Sequence, residues 1–186
     1  MEENKVEISV EDIRNCCNTI TSKILSQMRG GIVCHLDKKS IAEGPVLYRW
    51  WFPKNFVELL NDDYKCKLQE QLEDVESKSI DNKVYYALYF GKSKNGRKRF
   101  NQHMSNNIDK STLRRTIHAI ISTSSEEKVP EILCKCYFEW VEVDNESLLE
   151  CLEAMCIVSG KYPLNIEGNP YCQDCIVKAR KNKKYK

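Results

Sequence analysis

The stretch Lys83-Val84-Tyr85-Tyr86-Ala87-Leu88-Tyr89-Phe90, closed by Gly91 and the polar run Lys92-Ser93-Lys94-Asn95-Gly96, decides the fold. Its aromatic and β-branched residues read as a strand, and the turn after it feeds a basic helix from Arg97. Upstream, Pro45 to Phe52 (PVLYRWWF) has the same character between Gly44 and Pro53 and reads as another strand. Downstream, Ile132 to Val143 (ILCKCYFEWVEV) reads as a third. Helical spacing appears in Leu113, Ile117, Ile120 and Ile121 after Ser111, and again from a cap at Asp144 or Asn145 to about Ser159, where Gly160 ends the run. Ser9 with Asp12 opens an N-terminal helix through Val10, Ile13, Cys17, Ile20, Ile24 and Met28, which stops at Gly30-Gly31. Pro53 suits the first turn of a short helix carrying Phe56, Leu59 and Leu60. The order predicts an α+β domain: a small three-stranded antiparallel or mixed sheet flanked by helices, with an extra N-terminal helix.

A chain of 186 residues builds one ordinary core. Residues 1–43 read as a helical extension packed on the same domain, residues 44–169 as the domain proper with an acidic insertion over 53–82, and residues 170–186 as a basic tail. Charged residues make up 30% and no long apolar run occurs, which excludes a disordered chain and argues against a membrane span. The acidic start MEENKVEISVEDIRN is unlike a leader, so the expected location is the cytoplasm. Ten cysteines spread through such a chain read as reduced thiols rather than a disulfide framework. Cys134-x-Cys136 and Cys172-x-x-Cys175 could supply four zinc ligands, but residues around the first pair read as a core strand, which argues against structural zinc.

Charge is segregated. From Lys92 to Arg115 eight Lys or Arg face one acid, and Lys178 to Lys186 carries six more, while Val57 to Asn82 has eight acids against three bases. Any single run can be a solvated face; two basic blocks together suit a polyanion such as nucleic acid. Lys94, Arg97, Lys98, Arg114 and Arg115 are the DNA-binding candidates.

The chemistry concentrates around Gly91. Tyr89 precedes it, Lys92 follows, and Arg99 and His103 stand at i and i+4 on the next helix. Glycine leaves room for a phosphate to approach, Arg99 offers a planar fork for its oxygens, and Lys92 adds a point charge. On the last helix Leu148, Leu149, Leu152, Met155 and Cys156 form one stripe with Glu153 at its rim, while Glu146 and Glu150 lie toward water. Taken singly, each of these residues has an ordinary structural use. Together they make phosphodiester chemistry a candidate.

At these residues the sequence resembles the GIY-YIG nuclease superfamily, named for two tripeptides on neighbouring strands. Tyr89-Phe90-Gly91 is similar to the second tripeptide, and the spacing through Lys92, Arg99 and His103 follows the family. Leu152-Glu153-Ala154 with Tyr162-Pro163-Leu164-Asn165 looks like the helix bearing the metal-binding Glu and the downstream Pro-x-Asn. The first tripeptide is best matched by Val46-Leu47-Tyr48, with the acidic segment inserted between the strands as in restriction-type members. Tyr86 is the rival. Strand alternation places it on the opposite face from Tyr85 and Tyr89, which favours Tyr48.

The resemblance implies a DNA endonuclease, a phosphodiester hydrolase using one Mg²⁺ or Mn²⁺ held by Glu153. Arg99 would stabilise phosphate charge with help from Lys92, Tyr48 would be the general base, Tyr89 and His103 would orient water, and Asn165 would position the Glu-bearing end. A cationic neighbourhood would bring Tyr48 toward working pH. The partner would be double-stranded DNA, with a homodimer if both strands of a palindrome are cut. A nucleic-acid-binding module that has lost cleavage and a zinc-stabilised interaction protein remain the alternatives.

Overall fold

The computed structural model describes residues 9–105, 107–122, 128–166 and 173–184. Helix α1 (Val10–Ser26) starts at a reciprocal capping box between Ser9 and Asp12. Strand β1 (Arg29–Ile32) follows, then β2 (Val46–Pro53), a 3₁₀ segment, α2 (Asp62–Gln71), β3 (Ser77–Ile80) and β4 (Lys83–Ser93). The remainder comprises α3 (Gly96–Met104), α4 (Thr112–Ile120), α5 (Lys128–Cys134), β5 (Tyr137–Glu142), α6 (Leu149–Ser159) and α7 (Gln173–Lys184).

The α+β class holds, but among the described residues the sheet has five strands rather than three, all antiparallel, in the order β1-β5-β2-β4-β3. The three expected strands form its centre. Gly30-Gly31 does not only end a helix; it runs on as edge strand β1. A Cβ on Gly30 would stand 2.1 Å from the Phe138 carbonyl oxygen, so β1 can lie this close to β5 only without a side chain there. The other edge strand, β3, comes from the acidic insertion. Asp81 and Asn82, both at positive φ (48° and 61°), turn it directly into β4 as a two-residue hairpin.

The third strand also starts later than expected. Val129, Ile132 and Leu133 are buried at helical spacing on α5, so Ile132 to Cys134 belong to a helix and the strand begins at Tyr137. The strand argument about the first cysteine pair therefore falls. Cys134 ends α5, and Cys136 is a buried thiol donating to the Ile132 carbonyl at 3.4 Å, pushed well above its ordinary pKa by burial. Cys172 and the Cys175 side chain lie outside the described residues.

Strand β2 is buried on both faces and alternates between two cores. Tyr48, Trp50 and Phe52 join a large cluster with residues of α2, α3, α4, α5 and α7, while Leu47 and Trp51 join a smaller one beneath α1 and α6. The expected basic tail contains α7, which packs on α4 and sends Ile176 fully into the larger core. Among the described residues no helix is long and apolar enough to cross a membrane.

A bulge sits in the β2–β4 ladder. Trp50 pairs with Tyr89 but Trp51 pairs with Ala87, leaving Leu88 as the extra residue. Simple alternation fails across it. Tyr86 lies opposite Phe52 and packs on the larger cluster, the same face as Tyr48 and Tyr89, contrary to the expectation from sequence. What separates Tyr86 from Tyr48 is distance along the strand: its partner Phe52 is four residues on, ~13 Å at the usual rise.

Candidate active site

Tyr48 lies directly opposite Gly91. A Cβ at position 91 would stand 2.7 Å from both Cζ and the hydroxyl of Tyr48, so the glycine makes room for this phenol rather than for an approaching phosphate. One step along the ladder, Tyr89 brings its ring to 6.3 Å from that of Tyr48, centroid to centroid. The two strands thus deliver two hydroxyls side by side.

Helix α3 adds His103, 1% exposed and edge-on to the Tyr48 ring at 5.4 Å. Its Nε2 is 3.1 Å from the Tyr48 hydroxyl and its Nδ1 is 2.6 Å from Ser111 Oγ. Ser111 caps α4 by accepting the Arg114 N–H, which leaves its own O–H free to donate to Nδ1. With the ring proton on Nε2, donation runs from Ser111 to His103 to Tyr48. Burial, then the charges of Arg99 and Arg114, hold the His103 pKa well below its ordinary value, so the ring is neutral at pH 7.

Burial pushes Tyr48 well above 10, with Tyr89 adding to the rise and Arg99 opposing it. Tyr89 is pushed up to about 12 by burial, again against Arg99. The expected cationic assistance therefore exists but loses to desolvation. Part of the reason is that Lys92 is engaged elsewhere: its ammonium lies 2.5 Å from Glu153 Oε2 and 2.7 Å from Glu150 Oε2.

Glu153 projects from α6 with its side chain 19% exposed, and its charge acts on both Tyr48 and Tyr89. A single half-buried carboxylate that already holds a cation, beside a cleft of about 640 Å³, suits a hard divalent ion that keeps most of its waters. Lys92, Arg99, Lys98 and Gln102 line the same cleft. Arg99 Nε is buried and has no hydrogen-bond partner among the described residues, so this guanidinium retains donor capacity.

Several expected residues have other roles. Asn165 does not reach the Glu-bearing helix; its side chain accepts from the Phe90 N–H at 2.9 Å and donates to the Phe90 carbonyl at 2.8 Å. With the Leu164 N–H on the Leu88 carbonyl, it stands in for a strand along the part of β4 that β3 does not reach. It therefore positions Tyr89 and Gly91. Arg114 is fully buried, with Nη1 donating to the His103 carbonyl at 2.9 Å, and is not a surface contact for DNA. Arg97 bonds the Lys39 and Ile41 carbonyls and pairs with Glu43, fixing the loop before β2. Lys94 pairs with Glu146 at 2.5 Å. Lys98 and Arg115 are exposed.

Sequence reasoning missed Ser111, Glu150 and Arg180. Ser111 was visible as the start of a helix but not as the support of a histidine. Arg180 was hidden in a lysine-rich run; its Nη2 donates to the Thr112 carbonyl at 2.7 Å and to Thr116 Oγ1 at 2.6 Å, and its charge acts on Tyr89.

The family model of the GIY-YIG catalytic domain matches residues 46–184. The chain belongs to the GIY-YIG family. The match opens on the first residue of β2 and includes α7, so it covers Tyr48, Tyr89, Arg99, His103, Glu153 and Arg180. Membership in this nuclease family makes DNA the implied substrate. No curated protein and no solved structure matches the chain.

Proposed function

We propose that the protein is a metal-dependent DNA endonuclease in which Tyr48, backed by His103 and coupled to Tyr89, takes the proton of the attacking water. The observation that carries this reading is the buried hydroxyl chain from Ser111 through His103 to Tyr48, within the fields of Arg99 and Glu153. A neutral His103 donating to Tyr48 stabilises the phenolate as it forms, and the neighbouring hydroxyls share the charge. Arg99, with donors to spare, faces the charge developing on the phosphate. Lys92 holds the Glu153 carboxylate in place, and Glu150 gives the ammonium a second partner when Glu153 turns to another cation. Glu153 would hold one Mg²⁺ or Mn²⁺, which when bound would supply Lewis-acid charge to the phosphate. Asn165 acts as a positioning residue through β4.

The test is cleavage of varied unmethylated duplex DNAs. Activity is expected with Mg²⁺ or Mn²⁺ and not with EDTA; Glu153→Gln should abolish cleavage while duplex binding persists. Binding without cleavage under every metal and DNA would leave a nucleic-acid-binding module instead. Since burial keeps both phenols above 10, cleavage should accelerate with pH across the neutral range, by up to ~10-fold per unit for a base that must lose one proton.

A further inference from the structure

Arg115 and Arg180 form a second cationic site, contributed by α4 and α7. Thr112, Arg115 and Thr116 share the side of α4 where α7 docks, and the two threonines fix Nη2 of Arg180 through their carbonyl and hydroxyl oxygens. Arg180 Nε is buried with no hydrogen-bond partner among the described residues, and Nη1 makes no hydrogen bond among them. Neither arginine forms an ion pair with a described carboxylate. Burial, and next the charge of Arg115, bring the Arg180 pKa down to about 10, with Tyr89 opposing. Other arginines of this chain are compensated: Arg49, Arg29 and Arg97 each face a glutamate. A guanidinium held by two neutral oxygens, with its remaining donors unspent beside another guanidinium, matches the oxygens of a phosphodiester.

We propose that Arg180, with Arg115 beside it, is a seat for the DNA phosphate next to the one that is cleaved, so that α7 belongs to the substrate-binding surface. The proposal rests on the nuclease reading above. It places the flanking phosphate beside the hydroxyl chain, since the Thr112 carbonyl that holds Arg180 follows Ser111, whose hydroxyl bonds His103 and through it Tyr48, and lets two fixed points on one strand set the scissile phosphate against Tyr48.

The experiment measures duplex binding by the full chain in EDTA, which bars cleavage, over a salt series from about 50 to about 200 mM. Arg180→Gln is expected to lower the slope of log K against log salt by ~0.9, so that its affinity drops about 3.5-fold less than wild type across that range. Arg180→Lys should keep the wild-type slope, because the charge stays. Ile176→Ala loosens the docking of α7 without touching the charge and should also keep the slope. The seat is refuted if Arg180→Gln has the wild-type slope, or if Ile176→Ala loses as much slope as Arg180→Gln, which would make Arg180 a fastener of α7 alone. Wild-type protein that binds no duplex at any salt would overturn the nuclease reading itself, an outcome distinct from a wild-type slope in the variant.

Discussion

Tyr48 and Arg49 are neighbours on β2, both almost fully buried, and they look into opposite faces of the sheet. On its face Arg49 has every need met. It donates to Glu139 and Glu76, its guanidinium lies 4.5 Å over the Trp51 ring, and Lys78 closes the group by bonding Glu139 at 2.7 Å while standing 4.0 Å over Trp51. On the other face Tyr48 belongs to an uncharged chain of hydroxyls and imidazole, within the field of Arg99, whose buried Nε has no hydrogen-bond partner among the described residues. On one face the charged groups are spent on one another. The other leaves donors unspent and is placed to act on something that arrives.

The largest effects should separate the two faces cleanly. Tyr48→Phe keeps the ring and removes the hydroxyl, and should cost ~10²–10⁴-fold in cleavage rate but only ~1 kcal/mol in stability. Arg49→Met should do the reverse, destabilising by ~3 kcal/mol because the buried Glu139 loses one of its two cationic partners and keeps only Lys78. Urea denaturation alongside single-turnover rates measures both, and a dead but stable Arg49→Met would merge the faces into one site. Tyr86→Phe should cleave at the wild-type rate.

Next in size, Gly91→Ala places a methyl against the Tyr48 phenol and should cost ~1–3 kcal/mol together with most activity. In a Tyr48→Ala background, itself destabilised by the lost ring, Gly91→Ala should add no further cost in stability, showing that the glycine serves the tyrosine. The smallest effect is in pH. His103 has a depressed pKa in the folded protein, so on acidification the unfolded chain takes up its proton first, near pH 6.5. Stability should therefore be full above about 6.5 and fall by ~1.4 kcal/mol per unit below it, until the folded state binds the proton as well. His103→Gln should remove that component, and acid denaturation profiles of the two proteins show whether it does.

Much of this contrast was legible in the sequence. Tyr48, Tyr89, Arg99, His103 and Glu153 could be singled out because strand ends, i and i+4 spacing and a helix rim are local features. The two edge strands were not. Gly30-Gly31 carries a helix-stop signal that hides a close approach to β5, and β3 has only four residues to show its alternation. Alternation also misplaced Tyr86, since one extra residue at Leu88 reverses the parity and nothing nearby marks it. Arg114, expected at the surface, is buried, because a run of charges does not show which of its members the fold will cover.

Asn165 has a consequence beyond the geometry of Tyr89. Past the end of β3, the outer side of β4 would be a row of open backbone groups, and a bare strand edge is a template on which another polypeptide can add. One amide side chain and the preceding backbone N–H close that edge with three bonds. The device is economical but local, with one side chain making two of the three bonds. Losing it would free the strand next to Tyr48 and Tyr89 to recruit a copy of itself, so at this position a slack pair of tyrosines and a self-associating, poorly soluble protein would be two results of one change.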